Sequence, residues 1–174
     1  MALGYSVQPD PDKTAKALGR ELELKPRHAI EVARFVRGHD TKKAKDLLRS
    51  VLLGAGERPR LPEDDKEEAE RILGLPRRAV PFRRHVGSKG HRKGKVGPGG
   101  YPVKTVTAFL KLIEQAESNA EYKGLDPEKL FVQHAAAQRA RVVRGMMPGP
   151  RGSGKPWNKS LTHIEIVVAE KEEA

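Results

Sequence analysis

The chain has 174 residues, with 34 Lys and Arg against 23 Asp and Glu, giving a net charge of +11 and an isoelectric point near 10.0. Only 37% of residues are apolar and 5% aromatic, which allows one modest core, while the positive excess predicts a polyanionic partner, most readily a nucleic acid. The absence of cysteine excludes a disulfide frame, a thiolate metal site and a cysteine nucleophile, and no apolar run reaches the roughly eighteen residues of a membrane span.

Along the chain, the start "MALGYSVQPDPDKTAK" lacks an apolar stretch of signal-peptide length, so a cytosolic protein is expected. Residues 1–174 are expected to form one domain. Pro9 and Pro11 predict an irregular arm over 1–20, and "ELEL" at 21–24 predicts a short strand. Pro26 suits the first turn of a helix. Ala29, Val32, Ala33 and Val36 then form an apolar stripe, with Gly38 as the stop and Arg27, Arg34 and Arg37 away from the stripe.

Asp40 is positioned to cap a second helix through its carboxylate. Its stripe is Ala44, Leu47, Leu48 and Val51, and Gly54 is its expected end. Lys42, Lys43 and Lys45 crowd the first turns of this helix, where cations oppose the dipole and an external anion would offset them. Segment 55–76 is acidic and predicts a short helix between Pro62 and Gly74, with Glu67 and Arg71 paired at i, i+4. Its charge would turn it toward solvent or a protein neighbour rather than toward phosphates.

From Arg77 to Ile113 there is no acid. The glycine-rich loop 77–102 carries Arg77, Arg78, Arg83, Arg84, His85, Lys89, Arg92, Lys93 and Lys95, followed by Lys104. Such a loop cannot bury enough apolar surface to order itself, so a nucleic-acid partner is expected to order it. A long helix over 103–123 keeps Val106, Phe109, Leu110, Ile113, Ala116 and Ala120 on one face, and Gly124 stops it. Asp126-Pro127 makes a turn before a strand beginning at Leu130.

Segment 130–169 reads as a long hairpin. From Lys129 to Ile164 there is again no acid, while Arg139, Arg141, Arg144, Arg151, Lys155 and Lys159 recur. Residues 130–143, if extended, reach roughly 46 Å at about 3.3 Å per residue. A compact chain of this length has a radius of gyration of about 16 Å, so the hairpin must protrude. Ile164, Ile166 and Val168 alternate and anchor its base. The tip near 144–159, "RGMMPGPRGSGKPWNK", is basic and rich in glycine, and has little to bury.

"GPRGSGKP" at 149–156 approaches a phosphate-loop pattern, but Pro156 stands where the magnesium-binding hydroxyl belongs and a strand follows instead of a helix. His28, His39, His85, His91, His134 and His163 show no paired metal-ligand spacing, and His163 reads as a structural strand residue. No serine lies in a nucleophile elbow. The residues therefore indicate neither an enzyme nor a metal or other cofactor.

The order of two short basic helices, a loop opening with "VPFRR" (80–84), a helix ending in "AESNAEYKGLD" (116–126) and a long basic hairpin closing with "THIEI" (162–166) resembles the universal large-subunit ribosomal protein twenty-two family, in its archaeal and eukaryotic form. Pro148, Gly152 and Asn158-Lys159 fit that family's hairpin tip. The resemblance implies an α+β fold: a small three-stranded antiparallel sheet packed on helices, with a long protruding β-hairpin. It implies a body bound to several domains of the large-subunit ribosomal RNA beside neighbouring ribosomal proteins. It also implies a tip lining the nascent-peptide exit tunnel, where Arg144, Met146, Met147 and Arg151 would meet the growing polypeptide. Arg139, Arg141 and Arg144 would contact RNA along the arm, with Lys155, Trp157 and Lys159 on the return. No membrane and no homo-oligomer is expected.

Two features depart from the family pattern. Segment 55–76 looks like an insertion, and the tip is richer in Gly and poorer in Arg. The alternative is a non-ribosomal basic RNA-binding regulator. Such a protein would be expected to cluster stacking aromatics, and a single Trp, three Tyr and four Phe form no such cluster.

Overall fold

A computed structural model describes residues 5–57, 59, 66–82, 86 and 99–171. Its main sheet has three antiparallel strands in the order β1 (Thr14–Leu22), β7 (Lys159–Glu170), β4 (Leu130–Val143). Helices α1 (Pro26–Val36), α2 (Thr41–Ala55) and α4 (Val103–Tyr122) supply the other layer. Helix α4 packs on β1 and β7, α1 packs on β4, and α2 lies against α4. The fold is α+β, as the family resemblance implied.

The middle strand β7 is buried from Ile164 to Ala169. Ile164, Ile166 and Val168 point into the same core as Phe109, Ile113, Val32 and Leu48. This is the two-residue alternation of a strand meeting the 3.6-residue stripes of helices. Ala29, Val32, Ala33 and Val36 of α1 are all buried, as their spacing predicts, and Gly38 ends the helix with φ of 81°.

The N-terminal arm is shorter than expected, because Thr14–Leu22 forms the edge strand β1. Its buried positions are Thr14, Ala15, Ala17 and Gly19, and the last three are small residues that give no β-propensity signal. Smallness is needed there. A Cβ on Gly19 would lie 2.8 Å from a Leu22 methyl and 3.1 Å from Leu112 of α4. Of "ELEL", only Glu21 and Leu22 belong to the strand. The chain then turns, with Leu24 N–H donating to the Leu22 carbonyl and Thr162 Oγ1 donating to the Leu24 carbonyl at 2.9 Å.

Asp40 occupies the cap position of α2, but its carboxylate makes no capping hydrogen bond. Residues 38–40 instead follow β4: Gly38 N–H donates to the Val132 carbonyl and Val132 N–H to the His39 carbonyl, each at 2.9 Å. The backbone of this connection therefore pairs with the sheet, and the segment's conformation is set there. Helix α2 also runs past Gly54 to Ala55, stopping at Gly56 with φ of 83°. Gly54 serves close approach, since a Cβ there would stand 2.5 Å from the Tyr101 ring.

Helix α3 (Lys66–Leu73) packs against α2, so the acidic segment has a neighbour within the chain. Glu68 pairs with Arg49 at 3.5 Å, and Arg71 turns to Asp46 at 3.2 Å rather than to Glu67. The predicted start near Pro62 lies outside the described residues. Two short strands, β2 (Val80–Pro81) and β3 (Gly99–Gly100), pair at the base of the 77–102 loop.

Candidate nucleic-acid interface

The hairpin is one antiparallel ribbon with two environments. From Leu130 to Ala135 and from Leu161 to Ala169 it belongs to the body, and no residue from Ala136 to Ser160 is buried. Pairing continues to Val143 opposite Lys159, with irregularities after Val132 and after Arg139 that increase its twist. Beyond it, β5 (Met146–Pro148) pairs with β6 (Gly154–Pro156). The tip closes on itself: Gly149 N–H donates to the Ser153 carbonyl at 2.6 Å, and Trp157 N–H to the Gly145 carbonyl at 2.7 Å. Arg151 and Gly152 take positive φ in the turn. The segment that approached a phosphate-loop pattern is thus a hairpin turn leading into strand β7.

Charge is graded along this ribbon. Near its middle, Glu21 pairs with Arg141 at 3.0 Å and Glu23 approaches Lys159 at 3.9 Å. These acids lie on β1 and just after it. Farther out, Arg144, Arg151 and Lys155 are exposed and have no acidic partner among the described residues. Trp157 is 58% exposed, Met146 73% and Met147 49%. The tip therefore presents cations and apolar side chains together.

The body's expected contacts fall into three groups. Arg27, Lys43 and Lys104 are exposed on α1, α2 and α4. Others are tied into the fold. Arg34 bonds Glu31 at 3.2 Å, Arg37 donates to the Ala135 carbonyl at 2.6 Å, and Lys42 pairs with Glu128 at 3.1 Å. The unfavourable charge at the start of α2 is thus partly answered from within, since Lys45 also pairs with Glu117 at 2.8 Å. The Lys42–Glu128 pair is exposed on both sides, and a pair of that kind is worth little and can exchange for a phosphate contact. Arg83, Arg84, His85, Lys89, Arg92, Lys93 and Lys95 lie outside the described residues.

One polar cluster was not visible in the sequence. Glu165 of β7 is 3% exposed. It accepts hydrogen bonds from the Ser6 N–H at 2.9 Å, from Ser6 Oγ, and from Gln138 Nε2 at 2.9 Å. His134 Nε2 lies 3.1 Å from Ser6 Oγ and 3.7 Å from the carboxylate. Ser, His and Glu together suggest a triad, but the geometry differs. Serine donates directly to the carboxylate, and the same imidazole nitrogen faces both partners. A triad needs the acid on the opposite ring nitrogen. The cluster instead straps the N-terminal arm onto the sheet. Burial, then the Glu165 charge, raises the Tyr5 phenol above its ordinary pKa of 10.0, while Arg20 pulls it down. His163 is structural as expected, its Nδ1 accepting from the Glu21 N–H at 3.2 Å.

Among the described residues no group of acids and histidines could hold a metal, and no helix is long and apolar enough to cross a membrane. The family described as Ribosomal protein L22p/L17e matches residues 17–169. A protein of Methanococcoides burtonii named large ribosomal subunit protein uL22 is 37% identical over 166 residues, covering 95% of each chain. Its namesake in Methanopyrus kandleri is 38% identical, covering 96% of this chain and 95% of its own. The Methanocaldococcus jannaschii namesake is 34% identical, covering 97% and 95%. Fold and likeness together define the class, a non-enzymatic ribosomal protein. Within that class, the chain belongs to the ribosomal protein L22p/L17e family.

Proposed function

We propose that this protein is a cytoplasmic structural constituent of the large ribosomal subunit, which binds large-subunit ribosomal RNA and supports its folding and assembly. On this reading its hairpin tip lines the nascent-peptide exit tunnel. The observation that carries the proposal is the ribbon's charge gradient: acids of the body answer Arg141 and Lys159, and none among the described residues answers Arg144, Arg151 or Lys155. A phosphate backbone supplies the missing counter-charge, and closely spaced arginines suit it geometrically. The 77–102 loop adds further cations for the same partner. Met146, Met147 and Arg151 at the turn would face the passing polypeptide, with neighbouring ribosomal proteins against the body.

The first test is sedimentation of a native lysate with and without a high-salt wash. Retention on the large subunit through the wash is expected, whereas migration as a light species would favour a free RNA-binding regulator. A finer test replaces Arg139, Arg144 and Lys155 by Gln and measures affinity for large-subunit RNA across salt. Each lost phosphate contact should flatten the log–log slope by about 0.7 to 0.9, so by roughly 2 to 3 units for all three. An unchanged slope would remove the arm from the RNA interface.

A further inference from the structure

A cleft of about 570 Å³ opens between the start of α1 and the stem of the hairpin. Lys25, Arg27 and His28 border it from the helix, Arg139 and Val142 from β4, and Leu161 from β7. Its size falls in the roughly 300–1,000 Å³ range of small-ligand clefts. No acid lines it, and among the described residues no carboxylate pairs with Lys25 or Arg139. One side of the lining is thus cationic, while Val142, Leu161 and the imidazole supply an apolar side. Val142 remains 52% exposed, although it lies beside the buried Leu161. The His28 ring stacks on the buried Phe82 with centroids 5.2 Å apart and planes 13° from parallel.

We propose that this cleft receives a single unstacked nucleotide of the bound RNA, its base lying against His28, Val142 and Leu161 and its phosphates between Lys25, Arg27 and Arg139. This deepens the RNA-binding reading above and rests on it. Charge alone would be satisfied by any continuous phosphate backbone on a flat surface. A pocket with a cationic rim, an apolar floor and a ring stacked from behind instead matches a splayed-out base, the form in which proteins engage RNA bases individually. The irregularity in strand pairing between Arg139 and Val142 falls at this cleft and lets both residues border it together with Ala140. An apolar peptide would leave Lys25 and Arg139 without a counter-charge, and an acidic peptide would leave the floor without a flat partner.

The test uses the full chain bound to transcribed archaeal large-subunit ribosomal RNA. Ultraviolet crosslinking with mass spectrometry should find one nucleotide attached to the peptide containing Lys25 to His28. Removing the ring with His28→Ala should weaken binding about tenfold, the order expected for one stacked base, and leave the salt slope unchanged because no phosphate contact is lost. Ser160→Trp fills the cleft from the exposed hairpin side and should give the same loss, with its fold checked by circular dichroism. If the wild type binds RNA with its full salt slope but neither variant changes affinity and no crosslink forms there, the nucleotide cleft is overturned and RNA binding stands. If the wild type does not bind the RNA, both fall together.

Discussion

The base and the outer half of the hairpin share the same two strands but follow different physics. At the base, Val132, Ala135, Ile164, Ile166 and Val168 are buried against α1 and α4, so hydrophobic burial sets register and face. Past Gln138, the ribbon keeps its backbone pairing and no residue is buried until Leu161. A two-stranded ribbon without a buried face is marginal in water, so the outer half contributes little to the stability of the body. What it offers is reach and charge. The difference teaches that the strand pattern alone does not separate a structural strand from a binding arm; the position of the core does.

That comparison can be broken most forcefully at the core. Phe109→Ala, at a fully buried ring, should cost about 3–5 kcal/mol of unfolding free energy in urea titration. A loss below about 1 kcal/mol would mean that α4 is not what the sheet packs on. Next in size is Glu165→Gln, which weakens the acceptor shared by Ser6 and Gln138. It should cost about 1–3 kcal/mol and speed amide exchange at Ser6. Unchanged exchange would show that the arm is held by other contacts.

Deleting 145–156 should leave the unfolding free energy within about 0.5 kcal/mol, as for other exposed changes, because those residues bury nothing in the body. Loss of cooperative unfolding would make the tip part of the domain. The smallest effect is expected at Tyr5. Its raised pKa means that the native state holds the phenol proton more tightly than the unfolded chain. This contribution is complete below about pH 10 and fades as pH rises through the folded value. Tyr5→Phe should therefore lose its disadvantage relative to wild type as pH is taken above 10, measured by thermal melts at stepped alkaline pH. A difference independent of pH would assign the residue a packing role only, including its ring beneath the Lys16 ammonium at 5.4 Å.

Much of the fold was legible in residue spacing. The stripes of α1 and α4 and the alternation of β7 are strong periodic signals carried by large apolar side chains, and Gly38 and Gly124 mark their stops with positive φ. The edge strand was not legible, because Ala15, Ala17 and Gly19 carry no strand propensity and Gly19 is held to glycine by the closeness of Leu22 and Leu112. The helix end at Gly54 misled for a related reason: that glycine admits Tyr101.

For the interface, residue identities alone set the sign of the charge, its concentration in the 77–102 loop and along the hairpin, and the absence of cysteine chemistry. These are additive properties of residues. Which cations are already answered by acids, as with Lys45 and Glu117 or Arg141 and Glu21, follows from the folded chain. It alone brought Lys25, His28 and Arg139 to one cleft, and it alone closed Ser6 onto Glu165 across 159 positions of chain. Ion pairs and clefts need side chains within a few ångströms of one another, because Coulomb attraction weakens with separation, and sequence separation carries no such distance until the core has folded.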